Sequence, residues 1–162
     1  MTLFSDTPAR LLAARLFLLT GSIAIVAGGV IAALAAHAST RPVMWLVAYL
    51  VLVVGVAQII LGAGQAGLLE ALPARGWRIQ QWWLFNLGSL GVLAGRLLDV
   101  RGLVSIGIAL FLVAMLRFFL GMRGGKARHG RGWPAWVFHG VLWITTLGAL
   151  TGLVFSVTGL VR

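Results

Sequence analysis

Five apolar stretches take up almost the whole chain: Leu12 to Ala36, Val43 to Leu69, Gln81 to Leu98, Gly102 to Met122 and Ala135 to Val161, none of them containing an acid. A helix rises 1.5 Å per residue, so about 20 mostly apolar residues cross the roughly 30 Å hydrocarbon layer of a bilayer. All five stretches qualify, the third being the shortest. A soluble fold would need a polar surface to cover such segments, but hydrophobic residues make up 60% of the chain, charged residues 10%, and the mean hydropathy is +1.03. The expected fold is therefore all-α, a polytopic transmembrane helix bundle of five spans. Residues 1–162 form one integral membrane domain, since the loops between the stretches are short.

Orientation follows from the cations. With the N-terminus inside, the cytoplasmic side collects Arg10, Arg15, Arg75, Arg78, Arg117, Arg123, Lys126, Arg128 and Arg131, against Arg41, Arg96, Arg101 and Arg162 opposite. The positive-inside rule then gives N-in and C-out. Tryptophans mark the same edge, because Trp77, Trp82, Trp83, Trp133 and Trp136 fall near the cytoplasmic interface and Trp45 near the other. Arg10 and Arg15 precede an apolar run ending in Ala36-His37-Ala38, a form that signal peptidase cuts. That run is about 25 residues long, well beyond the 7–15 of a signal core, so it is read as a retained span. Twelve of the thirteen basic residues are Arg, and Ala, Gly and Leu abound. A GC-rich bacterial genome and the plasma (inner) membrane are the expected setting.

The net charge of +10 does not indicate nucleic acid, because the cations sit at the ends of apolar stretches rather than along one face. The basic loop carrying Arg123, Lys126, Arg128, His129 and Arg131 is expected to meet anionic lipid. Catalytic equipment is sparse. The acids are Asp6, Glu70 and Asp99, and there is no cysteine, so paired-carboxylate chemistry, a carboxylate metal cage and thiolate ligation lack their parts. No phosphate-binding loop, metalloprotease helix or nucleophile elbow occurs. No metal or cofactor is expected. Haem held by two histidines would need both at one depth, whereas His37 and His139 fall near opposite membrane edges and His129 in the basic loop.

Depth along each stretch gives the most informative pattern. Gln65, Asn86, Arg117 and His139 each fall four or five residues from the cytoplasmic end of a different span, about 6–8 Å below the edge at the helical rise. Glu70 lies just beyond Gln65. Polar groups at that depth face the bundle interior or a cavity, so Gln65, Glu70, Asn86, Arg117 and His139 are the candidate ligand-binding or polar-cavity residues. The same residues also suit a plainer role, with Arg117 snorkelling and the amides joining helices. A second pattern is the stripe Gly55, Gln58, Gly62 and Gln65, matched by Gly148, Gly152 and Ser156 in the last span and by Gly91 and Gly95 in the third. Small residues at these spacings form helix-packing seams, within the chain or with another.

The functional expectation is an accessory or structural subunit, or assembly partner, in the membrane, as a homo-oligomer or beside other membrane subunits. The alternatives are a small oligomeric transporter or channel using the polar layer, and a haem-, quinone- or lipid-binding membrane enzyme.

Overall fold

The computed structural model describes residues 7–37, 40–123 and 132–158, with side chains for 8–37, 40–123 and 132–154. Five helices account for nearly all of them: α1 (Thr7–Leu34), α2 (Arg41–Leu68), α3 (Arg75–Leu97), α4 (Arg101–Arg123) and α5 (Trp133–Thr158). There is no strand among the described residues. Helices α1, α2, α4 and α5 are long and apolar enough to cross a membrane. Helix α3 carries Arg75, Arg78 and Arg96 and does not reach that hydropathy, yet its 23 residues extend about 35 Å. The architecture is thus a helical bundle of membrane type, and we keep α3 as a fifth span, with N-in and C-out orientation, as a proposal.

Successive helices run antiparallel. Arg10, near the start of α1, donates from Nη1 to the carbonyls of Ala66 and Leu69 at the end of α2, at 2.6 and 2.7 Å, and from Nη2 to that of Glu70 at 2.9 Å. Farther along, Gly21 of α1 lies against Gly55 and Ile59 of α2, and Gly28 against Val51. The α3–α4 hairpin pairs Gly88 with Phe111 and Gly95 with Val104. Helix α5 passes α4 with Trp143 beside Phe119, Thr145 beside Met115 and Gly152 beside Ile108. Consequently the starts of α1, α3 and α5 and the ends of α2 and α4 share one end of the bundle, here called the arginine end.

Phenylalanines fill the centre. Phe17, Phe85, Phe111, Phe118 and Phe138 are nearly or wholly buried, with Phe17 edge-on to Phe118 at 5.6 Å and Phe85 beside Phe111 at 4.9 Å. Lipid tails are as apolar as these rings, so burial here gains from packing rather than from leaving water. Glycine makes that packing close. A carbon added at Gly88 would stand 2.6 Å from the backbone nitrogen of Phe111, and one at Gly107 would stand 2.5 Å from that of Val92. The hairpin itself closes on Asp99, whose φ of 55° puts it in the left-handed region that aspartate tolerates. The Leu98 N–H bonds Ala94 O at 2.9 Å and the Val100 N–H bonds Gly95 O at 2.8 Å, ending α3 with a Schellman-type cap.

Three details depart from expectation. Helix α3 begins at Arg75, six residues before Gln81, because its first turns are polar and interfacial and so look unlike a span. Helix α1 stops at Leu34, and Ala36 and His37 belong to the following turn. Helix α2 accepts Pro42 in its first turn, where its missing N–H costs nothing, and then widens into a π-helical segment from Tyr49 to Ala57. Nothing in the run YLVLVVGVA announces that segment.

Candidate functional site

The arginine end gathers polar side chains from three helices. Gln65 of α2 and Gln81 of α3 are 2% and 0% exposed, and both reach toward Gly121 of α4. A carbon placed where Gly121 has none would stand 2.7 Å from Gln65 Nε2, 3.5 Å from Trp77 Nε1 and 3.6 Å from Gln81 Nε2. All three nitrogens are buried and without a hydrogen-bond partner, as is Gln81 Oε1. An unsatisfied buried donor ordinarily costs about 1–3 kcal/mol, so three around one point call for an explanation. Beside them, the Arg117 guanidinium lies over the Trp77 ring, 3.9 Å from its centroid, while its Nη2 donates to Gln80 Oε1.

The five expected polar-layer residues divide in this arrangement. Arg117 lies over the Trp77 ring, and Gln65 Nε2 and Trp77 Nε1 both lie against Gly121. Asn86 donates from Nδ2 to Trp82 O, 2.8 Å away on its own helix, and His139 donates from Nδ1 to Ala135 O at 2.7 Å, also on its own helix. Glu70 is exposed, and its backbone carbonyl is the group that receives Arg10. Asn86 and His139 are therefore tied locally, while the buried amide of α3 nearest this end is Gln81, five residues before Asn86. The sequence reading named Gln81 only as a span boundary. Its spacing of four and eight residues from Phe85 and Ser89, all buried on one face, was the signal available.

A second polar junction lies deeper, where three helices share one hydroxyl. Thr20 of α1 donates to Leu16 O at 2.7 Å and accepts from Gln58 Nε2 of α2 and, at 3.2 Å, from Trp82 Nε1 of α3. Because the single hydroxyl proton is committed to Leu16, the Gln58 group facing Thr20 must be its amide NH₂. Trp82 thus points into the bundle rather than joining an interfacial belt. The neighbouring stripe residues Gly55 and Gly62 face α1, against Ile25 and Phe17 respectively.

The small-residue stripe of α5 meets different surroundings. Nothing stands within 4 Å of a carbon added at Gly148, and at Gly152 only Ile108 Cδ1 approaches, at 3.5 Å. Ser156 lies outside the described side chains, as the basic residues Lys126, Arg128, His129 and Arg131 lie outside the described chain. Gly148 and Gly152 line a groove of about 520 Å³ between α5 and the first half of α2, closed behind by Val92, Ile108 and Phe111. The Thr145 hydroxyl in its wall donates to Val141 O at 2.7 Å and so adds little polarity to the groove. Along α5 the groove runs from Val141 to Gly152, about 17 Å at the helical rise, in the half away from the arginine end.

Among the described residues no three His, Asp or Glu side chains gather as a metal site. His37 follows α1 at the far end of the bundle and His139 lies in the first turns of α5 at the arginine end. Comparison with protein-family models, with curated proteins and with solved structures finds no match.

Proposed function

We propose that the chain is an accessory subunit of a larger membrane assembly, and that it seats a transmembrane helix of a partner polypeptide in the groove between α2 and α5. One observation carries this reading. The chain uses glycines three and four residues apart to bring α3 against α4 and glycines seven apart to bring α2 against α1, and the pair four apart on α5 faces open space. In a bilayer, helices associate by close packing at such residues, since lipid offers no hydrophobic penalty to drive them together. Gly148 and Gly152 are placed to let a further backbone approach, and about 520 Å³ would be filled by a few of its large side chains.

A photoreactive residue replacing Ile144, 72% exposed at the groove, tests this in the source membrane. The reading expects one discrete protein adduct, absent when Gly148 and Gly152 are both changed to Leu and absent when the photoreactive residue replaces Leu19 on α1. Adducts to lipid alone, or an adduct indifferent to the glycine changes, would refute it. An adduct to a second copy would keep the interface and change the partner.

A small transporter is the second reading, favoured by the polar groups buried at two levels, around Gly121 and at Thr20. The phenylalanine core counts against an open path between them. Ion or solute flux in reconstituted vesicles, abolished by Thr20→Val, would establish it.

A further inference from the structure

The arginines at the arginine end divide by what holds them. Arg10 is bonded to the carbonyls that close α2, Arg117 to Gln80 and the Trp77 ring, and Arg123 lies over the Phe119 ring, 4.5 Å from its centroid. Arg78 differs. It is half-buried, its Nε is sealed from solvent, and among the described residues it makes no hydrogen bond or ion pair. Burial first and the charge of Arg75 second lower its pKa. A guanidinium so placed carries its charge at a cost unless an anion meets it.

We propose that Arg78 and Arg75 hold the phosphate of an anionic phospholipid whose acyl chains descend the crevice between α1 and α3. The site shares no residue with the groove between α2 and α5. Helices α1 and α3 both begin at the arginine end and are joined by the bond from Trp82 Nε1 to Thr20 at 3.2 Å. Arg78 lies one turn before Trp82 on the same face, so it stands at the mouth of the crevice, nearer the membrane edge than that bond. Arg75, three residues earlier, is exposed beside it. Inward from the pair the walls are apolar. Leu16 and Ile23 share the stripe of Thr20, Leu90 shares that of Trp82, Trp83 packs edge-on against Trp82, and all four are exposed.

Cations above and exposed hydrocarbon below select an amphiphile with an anionic head. A free phosphate would use the arginines alone, and a lipid without net charge the apolar walls alone. Guanidinium donors match phosphate oxygens, and two arginines three residues apart on a helix reach one phosphate together. Neither α1 nor α3 contains an acid to compete for them.

The test is thermal unfolding of the full chain in a nonionic detergent, with phosphatidylglycerol, phosphatidylcholine or glycerol phosphate added. Phosphatidylglycerol should raise the transition saturably, by about 4 °C at about ten times half-saturation, and the other two should leave it in place. Arg78→Gln should abolish the rise. Arg75→Gln, at an exposed position, should weaken binding several-fold and covers the case in which Arg78→Gln fails to fold. Arg15→Gln removes the same charge from a part of α1 off the stripe of Thr20, and should keep the full rise. No rise with phosphatidylglycerol, an equal rise with phosphatidylcholine, or a full rise in either the Arg75 or the Arg78 variant would overturn the site. An equal rise with glycerol phosphate would overturn the lipid as its ligand. A loss in Arg15→Gln as large as in Arg75→Gln would overturn it in favour of a general charge effect.

Discussion

The α3–α4 interface and the α2–α5 interface are built from the same residue type and end differently. Between α3 and α4, Gly88, Gly91, Gly95 and Gly107 sit so close to the opposite helix that an added carbon would strike backbone atoms. Between α2 and α5, Gly64 is covered by the Phe138 ring near the arginine end, and then the helices part until Gly148 has no neighbour. The first contact is a finished joint, held by a three-residue turn and unable to accept even a methyl group. The second is a hinge-like opening whose far half is unfilled. Glycine in a membrane helix is therefore best read as a request for a close neighbour, and the structure tells which requests the chain answers itself.

Substitutions separate the two interfaces by size of effect. Gly107→Leu forces a branched side chain into backbone at 2.5–2.8 Å and should abolish the folded bundle, measured as loss of a cooperative unfolding transition in mixed micelles. Phe85→Ala, which empties a fully buried position beside the same joint, should destabilise through the cavity it leaves, by less than the roughly 3–5 kcal/mol of a water-soluble core, while preserving that transition. Thr20→Val leaves the Gln58 amide and the Trp82 N–H without their acceptor and should cost about 1–2 kcal/mol. Gly148→Leu, made where no atom lies within 4 Å, should change stability by less than about 0.5 kcal/mol in the isolated chain. If Gly148→Leu proved as damaging as Gly107→Leu, the contrast between the two joints would collapse.

Much of the architecture was legible because lipid imposes a simple rule: backbone groups must be satisfied within each helix, and a helix must be long enough to cross. Acid-free stretches of that length marked all five helices, and the short connection at Asp99 made α3 and α4 a hairpin. The start of α3 was hidden by its own polarity, since Arg75, Trp77 and Arg78 belong to a helix that has not yet reached the apolar region. The π-helical segment has no signature in residue type.

Within the polar layer, depth could be counted but direction around each helix could not. Asn86 and Gln81 lie within about a turn and a half of each other. Only the packed neighbours decide that Gln81 turns inward and Asn86 bonds along its own helix. Gly121 carried no mark at all, because its part is to be absent where three nitrogens converge. The stripes of α2 and α5 look alike in sequence, and whether a partner helix is present is a property of the fold, not of the stripe.

The central claim is that the groove beside Gly148 is a place for protein rather than for lipid, and the lack of cysteine makes a single spin label at Ile144→Cys straightforward. Its accessibility to oxygen dissolved in the bilayer should be high for the purified chain in plain lipid vesicles and should fall several-fold in the source membrane, where the partner helix covers it. Equal accessibility in the two settings would contradict the account.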